Sequence, residues 1–265
     1  MRKLYPFVSR TFKILLSLIF LLACGTGIWI VLNSMSHQAT AEDLGLSPRE
    51  YADGTKRAAA VAKKVTPRLK ASFKENKLTW GSPVFIRAFK EEAILELWVK
   101  SDEEKFVLFK SYPIAGASGN LGPKLREGDH QVPEGFYYVA KRQLNPRSTF
   151  HLSFNIGFPN SYDAAHKRTG SSIMVHGSDT SIGCLALTDP FIEEIYTLCD
   201  AALSKGQQFF RIHIFPFEMT DERLAWATED KWFTFWENLQ TGYRWFEEKK
   251  IPPNVTVKEK RYSFE

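Results

Sequence analysis

Ile173-Met174-Val175-His176-Gly177-Ser178-Asp179-Thr180-Ser181-Ile182-Gly183-Cys184 is the stretch on which the reading of this chain turns. Ile173, Met174 and Val175 form a short apolar run, so His176 stands at a strand end where a core gives way to a cleft. Gly177 removes a side chain beside the imidazole. Ser178, Asp179, Thr180 and Ser181 are turn formers that double the backbone back. Gly183 permits an unusual backbone conformation at the approach to Cys184. A free thiol ionises near ~8.5 and is a mediocre nucleophile at neutral pH until a partner such as an imidazole activates it. The loop brings that partner back. Backbone N–H groups around Gly183 and Cys184 are suited to a developing oxyanion, which acyl transfer by a thiol requires.

Blander readings stand beside this one. A lone histidine or cysteine is more often a packed structural residue. Zinc is a sharper rival, because both side chains ligate it, but it needs three or four ligands. No Cys-x-x-Cys or His-x-x-x-His pattern accompanies the pair, and His130, His151, His166 and His213 are scattered. No metal and no other cofactor is expected. Cys199 shares a helical face with Ile192, Ile195 and Tyr196, which reads as a small buried core residue. A disulfide between Cys184 and Cys199 is the alternative that would silence the thiol.

Outward from the loop the period is that of strands. Residues 83–89, 93–100, 106–114, 136–140, 150–156, 173–176 and 209–215 read as short strands separated by charged or Gly/Pro-rich turns. Leu95, Leu97 and Val99 alternate with Glu96 and Trp98, as a half-buried strand requires. Asp189 at an N-cap and Pro190 behind it open a helix after Cys184. Upstream, Ser47-Pro48-Arg49-Glu50 is a helix start with a capping box. That helix is expected to run to about Val65, break at Pro67 and resume through Leu69 and Phe73, as a spacer or packing helix without chemistry. Residues 218–250 read as helical, and 251–265 have little pattern. The fold class is α+β, with a β-dominated domain at 79–216, a linker and helical spacer at 34–78, and a C-terminal helical extension at 217–265.

Composition is that of a folded chain: 44% apolar and 25% charged, without low-complexity tracts, which argues against disorder. The net charge of +5 is a nucleic-acid signal only until it is located. Arg2, Lys3, Arg10 and Lys13 precede the first acidic residue, Glu42, and leave +1 for the remainder. A nucleic-acid partner is therefore not expected. This basic flank opens a segment at 1–33 whose residues 14–32 carry no charge, long enough to span a bilayer. Positive charge on the N-terminal side puts that side in the cytoplasm and the bulk of the chain across the membrane. The segment reads as an uncleaved membrane anchor. Cleavage after Ala41 within Ala39-Thr40-Ala41 and acylation at Cys24 are the alternatives. All three export the domain.

The signature His176-Gly177, then Ser181-Ile182-Gly183-Cys184, resembles the active-site pattern of the L,D-transpeptidase (YkuD-like) catalytic domains. It is closer still to their YafK-like branch, where Ala and Thr-Asp follow the cysteine, as in Ala186 and Thr188-Asp189. Asn120 to Lys124, Glu127-Gly128-Asp129, Pro133 to Tyr137, Asn145-Pro146, Phe158-Pro159-Asn160 and His213 to Phe217 match that branch in order. The resemblance implies a compact β-rich fold with Cys184 as nucleophile and His176 as its base and later acid. Gly183 and Cys184 would donate to the oxyanion, with Gly177 and Ser181 shaping the loop. The substrate it implies is a peptidoglycan stem peptide, attacked at the bond after the diamino acid at position three. A thioacyl-enzyme would then pass to an amine of a peptide or envelope protein. An amidase that gives the acyl group to water and releases protein or peptide from the wall is the alternative, with a non-catalytic wall-binding module behind it.

Two points stay open. The wider family carries Arg two residues past the cysteine, where this chain has Ala186, and Lys124, Arg126 and Arg168 are candidates to meet substrate charge instead. The group that orients the second imidazole nitrogen is Ser178, Asp179, Ser181 or a backbone carbonyl. The location implied is the cell envelope, with the catalytic domain in the periplasm, anchored to the inner membrane or released if cleaved.

Overall fold

The structure is a computed structural model that describes residues 38–265. The expected membrane segment, its basic flank and Cys24 lie outside the described residues. Among those described, no helix is long and apolar enough to cross a membrane.

Five strands with strong β periodicity build the first sheet: β1 (Val84–Phe89), β2 (Ile94–Lys100), β3 (Phe106–Pro113), β5 (Gly135–Ala140) and β10 (Phe209–Phe215). Their spatial order is β3-β2-β1-β10-β5, with β1 parallel to β10 and the other pairs antiparallel. Alternation sends Val84, Ile86, Ala88, Ile212 and Ile214 into the main core on one face. Phe85, Phe89 and Phe215 go into aromatic clusters on the other. A sheet covered on both faces buries its strands on both sides, and β1 is buried along its whole length, its one charged residue, Arg87, paired with Glu96.

Shorter strands make the second sheet: β4 (Gly116–Ala117), β6 (Leu144–Asn145), β7 (Ser153–Asn155), β8 (Met174–His176) and β9 (Leu185–Ala186), ordered β4-β9-β8-β7-β6. Here 150–156 yields only three residues of strand, because His151 turns through a left-handed conformation at φ 62°. The helix after Cys184 packs against β1 and β10 of the first sheet and β7 and β8 of the second, joining the two.

The described residues also form six α-helices: α1 (Pro48–Ala52), α2 (Gly54–Glu75), α3 (Ser161–Ala165), α4 (Asp189–Ser204), α5 (Asp221–Ala225) and α6 (Phe233–Lys249). The Ser47/Glu50 capping box forms as the sequence indicates, but α1 stops at Ala52 because Asp53 caps the next helix through Thr55 and Lys56. That helix, α2, continues through Pro67, where the sequence predicts a break. A proline in a helix interior costs ~3 kcal/mol. Val61 and Val65 before it and Leu69 and Phe73 after it form one buried stripe, whose burial is worth roughly 1.5–3 kcal/mol per side chain. Burial wins. Lys64 and Arg68 also pair with the buried Glu193 and Glu194 of α4 at 3.0 and 2.7 Å. The helix is thus part of the core.

The C-terminal residues form a hairpin, β11 (Val255–Lys258) with β12 (Arg261–Phe264), where the sequence pattern predicts no element. Its turn places Glu259 and Lys260 at φ 49° and 59°, a geometry normally announced by Asn-Gly. Tyr262 anchors the hairpin, stacked on Tyr162 and edge-on to Phe136.

Candidate active site

The decisive loop joins two parallel strands. Val175 lies opposite Leu185 and His176 opposite Ala186. Strand alternation therefore sends Val175 and Leu185 into the core, and puts Met174, His176 and Ala186 on the other face, with Cys184 at the same face of the entry to β9. Histidine and cysteine share a surface because the strands run parallel in this register.

The imidazole is fixed. Its Nδ1 donates to the Gly177 carbonyl at 2.5 Å, and its ring stacks on Phe150 with centroids 4.7 Å apart. A carbonyl only accepts, so the proton sits on Nδ1 and Nε2 keeps its lone pair. Nε2 has no hydrogen bond among the described residues. His176 is 3% exposed, and this burial pushes its pKa below the ordinary value, against the opposing pull of the Gly177 carbonyl and the Asp189 charge. Both effects of burial suit a base: the ring is neutral and held.

Burial likewise pushes the Cys184 thiol up, opposed by the Met174 N–H and the charge of Lys124. Sγ accepts from that N–H at 3.3 Å and lies 3.9 Å from the Ser172 carbonyl. In this resting position the thiol is not bonded to the imidazole. Cys184 and Cys199 are both free thiols.

Ser181 and the glycines shape the loop. Ser181 Oγ accepts from the Cys184 N–H at 2.9 Å and donates to the Cys184 carbonyl at 2.6 Å. That engages one of the two expected oxyanion donors. The Gly183 N–H carries no hydrogen bond among the described residues, and Gly183 adopts φ 118°, where a side chain would be strained. A Cβ on Gly177 would fall 2.2 Å from Asp189 Oδ1, so only glycine lets that carboxylate approach.

The basic candidates separate. Lys124 is buried against Asp129 and the Arg126 carbonyl, over the Phe158 ring, close enough for its charge to act on the thiol. Arg126 is exposed and lines a different depression, with Trp232. Arg168 is buried in an ion pair with Asp163 at 2.8 Å, flanked by the Tyr162 and Phe235 rings. Ala186 is fully buried and pairs with Gly116, itself pressed against the Asp179 carbonyl, so the position has no room for a long side chain. Of the four possible orienters, the structure places the Gly177 carbonyl on Nδ1. Among the described residues, Asp179 receives only the hydroxyls of Ser178 and Thr180.

Two participants are not visible in the sequence as parts of the site. Met174 meets the sulfur through its backbone N–H, which no side-chain pattern reveals. The sequence reads Asp189 as a helix cap, but the N-cap is Thr188, without a side-chain bond, and the Asp189 carboxylate turns toward the loop instead. A cavity of about 700 Å³ opens beside Ser172 and extends past Asn155 and Asn160 to Arg142, Arg211 and the C-terminal hairpin.

Residues 84–214 match the model of the L,D-transpeptidase catalytic domain (YkuD). The protein described as "Putative L,D-transpeptidase YafK" from Escherichia coli K12 is 46% identical over 182 residues, 69% of this chain and 74% of that protein. Its counterpart in Escherichia coli O157:H7 matches equally. The chain belongs to the L,D-transpeptidase family. Two solved structures are more distant. The helical cell shape determining protein Pgp2 from Campylobacter jejuni is 17% identical, with a TM-score of 0.42 over 67% of this chain and 73% of that one. Bd1075 from Bdellovibrio bacteriovorus is 16% identical, with a TM-score of 0.38 over 69% and 84%. Neither carries an argument at that level.

Proposed function

We propose that the chain is a cysteine acyltransferase of the cell envelope that acts on peptidoglycan stem peptides, with Cys184 as nucleophile and His176 as base. The observation that carries this reading is an imidazole whose Nδ1–H is committed to a carbonyl and whose bare Nε2 shares a strand face with a free thiol. Because burial favours both neutral forms, the pair rests as thiol and imidazole. Rotation about the Cys184 Cα–Cβ bond brings Sγ toward Nε2, which takes the thiol proton as sulfur bonds to the substrate carbonyl carbon. The oxyanion is met by the Gly183 N–H. Collapse breaks the C–N bond, and the leaving amine departs with the proton held on Nε2.

The thioester then passes to an acceptor amine, whose proton returns through His176 to the sulfur. Water in the acceptor's place gives the amidase outcome. The cavity beside Ser172, with its two guanidinium groups and amides, suits a carboxylate-bearing peptide. The 14–32 run would hold the domain at the membrane and present it to the wall. Incubating the protein with muropeptides, with and without candidate amines, and weighing products by mass spectrometry tests the reading. Crosslinked product means transfer and shortened product means hydrolysis. Conversion that survives in Cys184→Ala would overturn the assignment.

A further inference from the structure

Gly177 and Ser178 contribute the two halves of one peptide unit, and both halves are bonded. Its C=O accepts the Nδ1–H of His176 at 2.5 Å, and its N–H donates to Asp189 Oδ1 at 2.8 Å. Asp189 is 4% exposed, and its other oxygen accepts the Ala39 N–H at 2.6 Å. We propose that Asp189 is the positioning residue of this site, acting on His176 through the Gly177–Ser178 peptide, with Ala39 holding the carboxylate from behind. The inference rests on the proposed roles of Cys184 and His176.

A carboxylate that accepts from one end of an amide draws its electrons toward the carbonyl and makes that oxygen a better acceptor. The peptide bond is planar, so fixing its N–H also fixes the direction of its C=O. Asp189 would in this way do for Nδ1 what a directly bonded carboxylate does in other imidazole-based sites. The backbone around it is held in unfavourable conformations at both ends of the contact: Ser178 at φ 64°, and Thr188 at φ 61° and ψ 158°. Such conformations cost roughly 1–3 kcal/mol each and persist where the surroundings enforce them. A backbone bond from Thr188 N to Ser178 O at 2.8 Å closes the arrangement. Gly177 belongs to it too, since any larger residue would collide with Oδ1.

Ala39 brings in the chain just beyond the export run. Its carbonyl accepts from the Tyr51 hydroxyl at 2.7 Å, and Tyr51 in turn meets His151 Nδ1 at 3.0 Å. Cleavage after Ala41 would remove Ala39 and leave one carboxylate oxygen without its partner. Among the charged and titratable groups around the imidazole, Asp189 on α4 is the one whose charge reaches it, and it acts to raise the ring's pKa. Cys184 shares the strand face, and Tyr51, His151 and Glu193 lie behind the carboxylate.

The test is to titrate His176 by NMR in the full chain carrying Cys184→Ala, with and without Asp189→Asn. The amide introduced by Asp189→Asn retains an oxygen for the Ser178 N–H and loses the charge. The expected result is a His176 titration displaced to lower pH. In the enzyme with Cys184 intact, the acid limb of kcat/KM should move the same way and kcat should fall about tenfold. An unmoved His176 titration overturns the proposal, whatever happens to turnover. A moved titration in a protein without peptidoglycan activity would sink the functional reading and leave the coupling standing. Should Asp189→Asn fail to fold, Ala39→Pro removes the N–H donor behind the carboxylate while keeping its charge and its bond to Ser178. It should displace the same titration by a smaller amount, and an unchanged titration there counts against the coupling.

Discussion

The strand end that carries Cys184 and the helix that carries Cys199 offer the same thiol to two environments. Burial pushes both thiols toward the protonated form. Cys199 is fully buried in the main core among Ile192, Ile195 and Leu198, and Asp200 adds to the upward push. Cys184 is half-buried and has a backbone donor at its sulfur, a lysine charge within reach and an imidazole on the same face. The two thiols differ in access and partners, set against an effect of burial that both regions share.

The largest contrast is in turnover. Cys184→Ala should remove acyl transfer by about 10³-fold or more, with its melting temperature nearly unchanged. Cys199→Ala should keep activity and lose about 1–2 kcal/mol of stability, as expected when a small buried group is trimmed from a packed core. Activity assays and thermal melts on the two variants check this pair. Loss of turnover in Cys199→Ala at a temperature where it is folded would break the comparison.

Gly177→Ala comes next. The added Cβ would meet Asp189 Oδ1 and the Phe150 carbonyl, so the loop must shift to admit it. A fall in kcat of roughly 10²-fold is expected, in line with displaced catalytic groups. The Asp189 carboxylate is held by two hydrogen bonds and the Phe150 carbonyl is backbone, so full activity in this variant would show that the loop is softer than its hydrogen bonds indicate.

Chemical labelling reads the contrast directly. Iodoacetamide followed by peptide mapping should modify Cys184 in the native protein and Cys199 only after unfolding. The rate at Cys184 should rise with pH along an ionisation above the ordinary thiol value, because burial outweighs the Met174 N–H and Lys124. In the other direction, the acid limb of turnover should fall below the ordinary imidazole value, because His176 must be neutral to accept a proton and burial keeps it so. Labelling rates that stay constant from about pH 6 to about pH 9 would contradict the thiol's assigned state.

Much of this was legible in the chain. The seven expected strand regions all carry strands, because alternating apolar residues leave a sheet few choices. The loop that returns Cys184 to the strand face of His176 was legible because its glycines and turn formers are written in the residues. Three features were hidden for physical reasons. The path of α2 through Pro67 depends on burial against α4, which local preference does not contain. The Glu259-Lys260 turn uses left-handed backbone without the residues that announce it. The turn at Ser181 was expected, but that its hydroxyl claims the Cys184 N–H depends on the side-chain conformation, which has no sequence signature.

The finest test of the contrast concerns charge at a distance. Lys124 is held by Asp129 and the Arg126 carbonyl, so its ammonium keeps a fixed position relative to the sulfur. Its charge favours the thiolate of Cys184. Lys124→Met keeps most of the buried stem and removes the charge, so the thiol should ionise at still higher pH. Labelling of Cys184 near neutral pH should then slow by roughly threefold, while Cys199, buried in the core, labels as before after unfolding. Asp129 would lose a partner, but three backbone N–H groups still donate to its carboxylate, which argues for a folded loop. Circular dichroism and a melt establish that the fold survives. If labelling of Cys184 in the folded variant were unchanged or faster, Lys124 would be a loop anchor alone, and the difference between the two thiols would rest on Met174 and access.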